Sequence, residues 1–176
     1  MAFIGVSLLA IIGGEIVLLA VDAVMRRRRI AKYCADNPGF DVKEVEEYAK
    51  ELYCNMQVVW QNKDITPLKD RMTDEFFRRM DDRLNTFREK HQTDHTEQIE
   101  VKFSALDDIK QKDGIDYFML RLRAMIMSYI TDDETGRVIS GSTHTKITML
   151  YEMKFMRKSG ETVCIVCDMT GKKLKW

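Results

Sequence analysis

Two cysteines three positions apart, Cys164-Ile-Val-Cys167, have the most recognisable chemical spacing in this 176-residue chain. Such a pair is half of a zinc knuckle, because tetrahedral zinc takes four protein ligands. No second pair follows, and Cys34, Cys54, His91, His95 and His144 show no ligand spacing. The competing account is two reduced thiols at the end of a strand. The expectation is therefore no cofactor, with zinc on Cys164 and Cys167 as the alternative. A thioredoxin-type redox pair would open a helix beside a βαβ unit, which this sequence lacks. For acid–base work the groups to nominate are Asp64, Tyr117, Tyr129 and His144. Yet His144 falls on the polar phase of its strand, with Ser142, Lys146 and Thr148. Asp64 falls at a helix end, where a carboxylate caps the next element. The sequence has no Gly-x-Gly-x-x-Gly, P-loop, His-Glu-x-x-His or Gly-x-Ser-x-Gly motif. It reads as a non-enzyme with no catalytic residue.

Three further groups point to binding. Tyr53, Met56, Trp60, Phe76, Phe77 and Met80 are aromatic or Met positions at helical spacing, suited to lining an apolar pocket. Ordinary core packing is the competing account for each. Tyr117, Met119, Arg121 and Arg123 share the outward phase of one strand, a composition typical of interfaces. Cross-strand salt bridges to Glu100 and Glu152 are the alternative there. Arg26, Arg27, Arg28 and Arg29 form a basic run that can meet anionic lipid headgroups.

The run follows a stretch that needs a special environment. Ala2 to Val21 is mostly apolar and long enough to cross a hydrocarbon core of about 30 Å as a helix. It has no basic residue before it and four arginines just after it, so it reads as an uncleaved anchor rather than a signal peptide. By the positive-inside rule the N-terminus lies outside and the rest is cytoplasmic. Glu15 in lipid costs about 2.5–3.5 kcal/mol or more. It serves either a partner helix or a snorkelling side chain. The whole chain carries no net charge, with 28 bases and 28 acids, which excludes the basic excess of a nucleic-acid binder. Two prolines and nine glycines argue against a long disordered region.

The elements that must position these groups are set by patterning. Asn37-Pro38-Gly39 should end the anchor helix. Asp41 with Glu44 forms a capping box, flanked by the Phe40/Val45 staple. Val45, Tyr48, Ala49, Leu52, Met56 and Val59 then predict a helix over 41–62. Thr66-Pro67 starts a short turn, and Thr73 caps a third helix running to about 91. After that the period becomes two, with Ile99, Val101, Phe103 and Ala105 on one face of the first strand. Strands at 117–130, to 157 and over 161–167 come next, separated by tight turn signals. The fold class is α+β: helices, then a curved four-stranded antiparallel meander wrapped around them in a cone. The expected divisions are an anchor over 1–30, a linker over 31–40, a domain over 41–167 and a tail over 168–176.

The segments ADNPGFD (35–41), LYCNMQVVWQNKDITPL (52–68), MTDEFF (72–77), YITDDETGRVISG (129–141) and YEMKFMR (151–157) occur in an order that resembles the Tim-forty-four-like (Tim44-like) domain family. That family comprises the C-terminal domain of a mitochondrial inner-membrane import-motor subunit and its membrane-anchored bacterial relatives. The resemblance covers residues 35–160. It implies a fold like nuclear transport factor two, an apolar pocket and work at a membrane face. The chain lacks the long charged helical region that holds motor partners in the mitochondrial subunit, so that role does not carry over. The functional expectation is a membrane-anchored, non-enzymatic binding or tethering domain in protein translocation or membrane-complex assembly. Its partners would be membrane lipid and an unidentified protein, not nucleic acid. The alternative is a small-molecule enzyme of isomerase or dehydratase type on the same cone.

Overall fold

A computed structural model describes residues 21–174. The predicted membrane span over Ala2 to Val21 lies almost entirely outside these residues. Among the described residues, no helix is long and apolar enough to cross a membrane.

The chain is helical from residue 21 to residue 36 (α1), turns through Asn37-Pro38-Gly39, and enters α2, Val42–Gln61. Asp41 caps α2, its Oδ1 accepting from the Lys43 amide at 2.7 Å and the Glu44 amide at 3.4 Å. Val45, Ala49, Leu52, Tyr53, Met56 and Trp60 form its buried face. A 3-10 turn, Thr66–Arg71, carries Pro67 in its first turn, where the missing N–H costs nothing. Helix α3, Asp74–Glu89, is capped by Thr73 Oγ1, which accepts from the Phe76 amide at 3.3 Å.

Four antiparallel strands complete the chain in sequence order: β1 Gln92–Lys112, β2 Ile115–Asp132, β3 Val138–Lys158 and β4 Ile165–Lys173. Leu120, Leu122, Ala124, Ile126, Met153 and Phe155 on the inner face meet the buried stripe of α2 and α3 in one core. The backbone of β4 joins the helices, since the Thr73 amide donates to the Val166 carbonyl at 3.0 Å.

Three sequence expectations need correction. The stretch over 31–40 is not a linker: it is helical to residue 36, and Tyr33 and Phe40 are buried in the core. Their rings meet edge to face at 5.1 Å. The packed unit therefore begins within α1, well before residue 41. The supposed tail over 168–176 holds most of β4, which runs to Lys173. Phe103 does not share the inner face with Val101, because register shifts interrupt β1 between Glu97 and Glu100, Val101 and Phe103, and Leu106 and Asp108. Each bulge adds a residue and re-aims the side chains beyond it.

Candidate functional site

The inner face does not close completely over its length. Between α2, α3 and strands β1 to β4 lies a cleft of about 450 Å³. Its apolar lining is Met56, Met80, Met149, Met169, Ile126 and Ile147, with Trp60 and Tyr151 as aromatic walls. Methionine fills irregular space and repacks easily, so four of them around one cleft make an adaptable surface. Polar groups enter at Gln57, Arg83, Asp94, Thr96, Ser128 and Thr170. Trp60 Nε1 donates to Asp94 Oδ2 at 3.2 Å, and the Arg83 guanidinium sits 5.5 Å from the indole ring. Burial pushes the Asp94 carboxyl above the usual carboxylate range, against the Trp60 hydrogen bond and the Arg83 charge. Behind the cleft, the Tyr53 ring lies 4.7 Å from that of Tyr151. The Tyr53 hydroxyl is buried without a hydrogen-bond partner among the described residues, and burial pushes its pKa far up.

Of the six residues expected to line a pocket, Met56, Trp60 and Met80 border this cleft. Tyr53 and Phe76 are packed in the core behind it, and Phe77 is half-buried under Lys69 at 5.7 Å. Sequence reasoning missed Asp94, Tyr151, Met149 and Met169. Met149 and Tyr151 alternate with Leu150 and Glu152 along β3, so their place facing the helices was readable from the period of two. Asp94 was not, because the predicted strand began after it.

The acid–base nominees do not converge. Asp64 Oδ1 accepts from the Thr66 amide at 2.9 Å, which ties it to the start of the 3-10 turn and lowers the carboxyl pKa. Tyr129 donates to Glu97 Oε1 at 2.7 Å and stacks on His95 at 4.6 Å. His144 is exposed on a bulge where residues 142–145 of β3 oppose Ser128 alone. That bulge requires Gly141, at φ +83°, because a Cβ there would fall 2.2 Å from the Ser128 carbonyl oxygen. Tyr117 is exposed on the outer face. The two cysteines also diverge. Cys164 lines a small cavity beside Phe40, Tyr48 and Arg157, whereas Cys167 borders a shallow depression with Tyr117, Met119 and Lys154. Burial pushes both thiols up. Among the described residues, no group of three or more His, Cys, Asp or Glu side chains is placed to hold a metal ion.

On the outer face, Arg121 meets Asp107 at 3.3 Å and Glu152 at 3.4 Å, the cross-strand pairing that was the alternative to an interface. Arg123 instead lies over the Phe103 ring at 5.0 Å.

The arginine run divides between two tasks. Arg26 pairs with Asp107 at 2.9 Å and Arg29 with Asp108 at 2.8 Å, whereas Arg27 and Arg28 are exposed. Helical spacing explains the split: positions 26, 29, 30 and 33 share the face turned to the sheet. Only part of the run expected at the membrane is therefore available in the folded chain. Further along that face, Tyr33 donates to Asp116 Oδ2, at the centre of a polar cluster. Asp116 is fully buried and also accepts from Ser159 Oγ at 2.7 Å, Gln111 Nε2 at 3.0 Å and Arg157 Nε at 3.1 Å. The Arg157 guanidinium in turn lies 4.7 Å from the Phe40 ring. This cluster fastens α1 to the hairpin ends of the sheet.

The architecture has relatives. The crystal structure of the intermembrane space region of the chloroplast protein ARC6 is similar in fold, with a TM-score of 0.50 at 8% identity. The match covers 77% of this chain and 97% of that one. No curated protein matches the sequence. A family model for the Tim44-like domain matches residues 26–165, from inside α1 to the start of β4. The chain belongs to the Tim44-like domain family.

Proposed function

We propose that this chain is a membrane-anchored, non-enzymatic binding domain that seats an apolar peptide segment or lipid chain in its cleft while tethered at the cytoplasmic membrane face. Protein translocation or membrane-complex assembly is the setting that its family suggests. The observation that carries the reading is the cleft itself, whose walls are four methionines, two isoleucines, Trp60 and Tyr151. Such a surface selects for apolar bulk more than for one shape. The N-out topology rests on the apolar stretch and the arginines behind it.

A dibrominated fatty acid tests the cleft, since bromine quenches a nearby indole. In a full-length Trp176→Phe variant, where Trp60 is the remaining tryptophan, saturable quenching is expected. Ser128→Phe, which fills the cleft, should abolish it. Absence of quenching, or quenching indifferent to Ser128→Phe, would remove the cleft as the binding site.

One observation favours an enzyme as the second reading. Asp94 is a partly buried carboxyl in that same cleft with a raised pKa, the kind of group enzymes use as a base. The lining offers it no histidine, lysine or cysteine partner. Asp94→Asn separates the readings: binding of an apolar probe should persist, whereas a proton-transfer activity would vanish.

A further inference from the structure

The register places four outward side chains in one row across the sheet. Phe103 on β1 pairs with Arg123 on β2, Arg123 with Leu150 on β3, and Leu150 with Lys172 on β4. Phe103 is brought there by the bulge after Val101 and is 37% exposed. Lys172 is exposed, while Arg123 and Leu150 are half-covered by their neighbours. Every carboxylate flanking the row is already engaged. Glu152 is held by Arg121, and Glu100 by Lys102 and Lys146. Among the described residues, neither Arg123 nor Lys172 has a carboxylate within 4 Å. An aromatic ring holds the Arg123 guanidinium in place, so little freedom remains to be lost on binding.

We infer that this row is a docking site for an acidic, amphipathic α-helix of a protein partner. Arg123 and Lys172 lie two strands apart, a separation of about 10 Å at ordinary strand spacing. Seven residues of helix rise about 10.5 Å. Carboxylates at positions i and i+7 of a helix lying across the strands meet both cations. Apolar residues at i+3 or i+4 then fall over Leu150, and the helix end nearer β1 covers Phe103. A second copy laid parallel on this row would oppose cation to cation, which repels, and one laid antiparallel would cover Arg123 with Leu150 and Lys172 with Phe103, leaving both cations without a carboxylate. Two cations are too few to hold the domain on anionic lipid. This face lies on the opposite side of the sheet from the cleft, so its partner is independent of the cleft's occupant.

Incorporation of p-benzoylphenylalanine in place of Phe103 in the full-length chain, in its own membrane, tests the assignment. The expected crosslink is to one protein segment whose sequence has Asp or Glu seven residues apart with apolar residues between. Arg123→Glu should lower the crosslink yield at least tenfold, and replacing the facing carboxylate by lysine should restore it. Lys172→Glu, at an exposed edge position, gives the same reading should Arg123→Glu disturb folding. Crosslinks to lipid or to a second copy alone, no crosslink, or a yield indifferent to both charge reversals would overturn the proposal.

Discussion

Asp116 and Asp94 show how two carboxyls of one chain acquire opposite characters. Burial pushes Asp116 up, but hydrogen bonds from Tyr33, Ser159, Gln111 and Arg157 outweigh it and hold the group below the usual carboxylate range. Its contribution to stability is thus present in full above the ordinary carboxylate pKa of about 4, and is lost as pH falls through the lower value in the fold. Asp116→Ala leaves Arg157 buried without its partner and should cost about 3–5 kcal/mol in chemical denaturation at pH 7. It should also flatten the acid limb of the stability profile, and an unchanged limb would show that other carboxyls control it. Asp94 works the other way. With a folded value above the ordinary one, its charged form is disfavoured by the fold, so it subtracts stability as pH rises through about 4 and beyond. Asp94→Asn keeps an acceptor for the Trp60 indole and should raise stability at pH 7, the gain fading by about pH 3. Asp116 was missed: it continues the phase of Phe118, Leu120 and Leu122, but it stands one residue before the strand predicted over 117–130. Asp94 was hidden by the irregular start of β1, where Gln98 adopts φ +47°.

Helix α2 was readable nearly to the residue because its cap, staple and apolar period agree, and such agreement across levels is what makes a segment predictable. Its last buried residue, Trp60, is 8% exposed and contacts Phe87 edge to face at 5.9 Å. Trp60→Ala should cost about 3–5 kcal/mol in denaturant titration, a range set by large core truncations; a loss under 1 kcal/mol would mean the cleft collapses around the gap. Strand β1 was misread for a physical reason. Three bulges in 21 residues break the alternation that a period-two reading assumes, and this put Phe103 on the wrong face. Helix α1 was misjudged because its apolar contacts are few. Its attachment relies on Tyr33, Arg26 and Arg29, whose partners Asp116, Asp107 and Asp108 lie 79 or more positions away in sequence. No local pattern announces such contacts. A chain beginning at Asn37 loses all three, and Tyr33 alone is an aromatic ring in the core. It should be less stable than a chain beginning at Val21 by several kcal/mol, at least the ~3 kcal/mol of a buried aromatic truncation. Equal midpoints for the two chains would show that α1 is dispensable to the domain.

At the scale of the whole molecule, the proposed N-out topology gives the arginine run two uses, insertion first and folding later, and the two can be separated. In that proposal, orientation is decided as the span enters the membrane, before β1 exists to offer Asp107 and Asp108. All four arginines then count, and acids such as Asp22 count for little. Once the domain folds, Arg26 and Arg29 turn to the sheet, and Arg27 and Arg28 remain exposed. Neutralising all four to glutamine should therefore give mixed topology, read by labelling of a cysteine placed at the N-terminus from either side of the membrane. Neutralising Arg27 and Arg28 alone should weaken orientation while leaving the unfolding midpoint unchanged. Neutralising Arg26 and Arg29 should weaken orientation to the same degree but also lower stability, by about 1 kcal/mol for each partly exposed pair. The full-length chain should stay in the membrane pellet after alkaline carbonate washing in every case, because retention depends on the apolar stretch and not on the charges. Release by carbonate would demote that stretch to a helix lying in the interface. A single orientation retained without any of the four arginines would remove them as its cause.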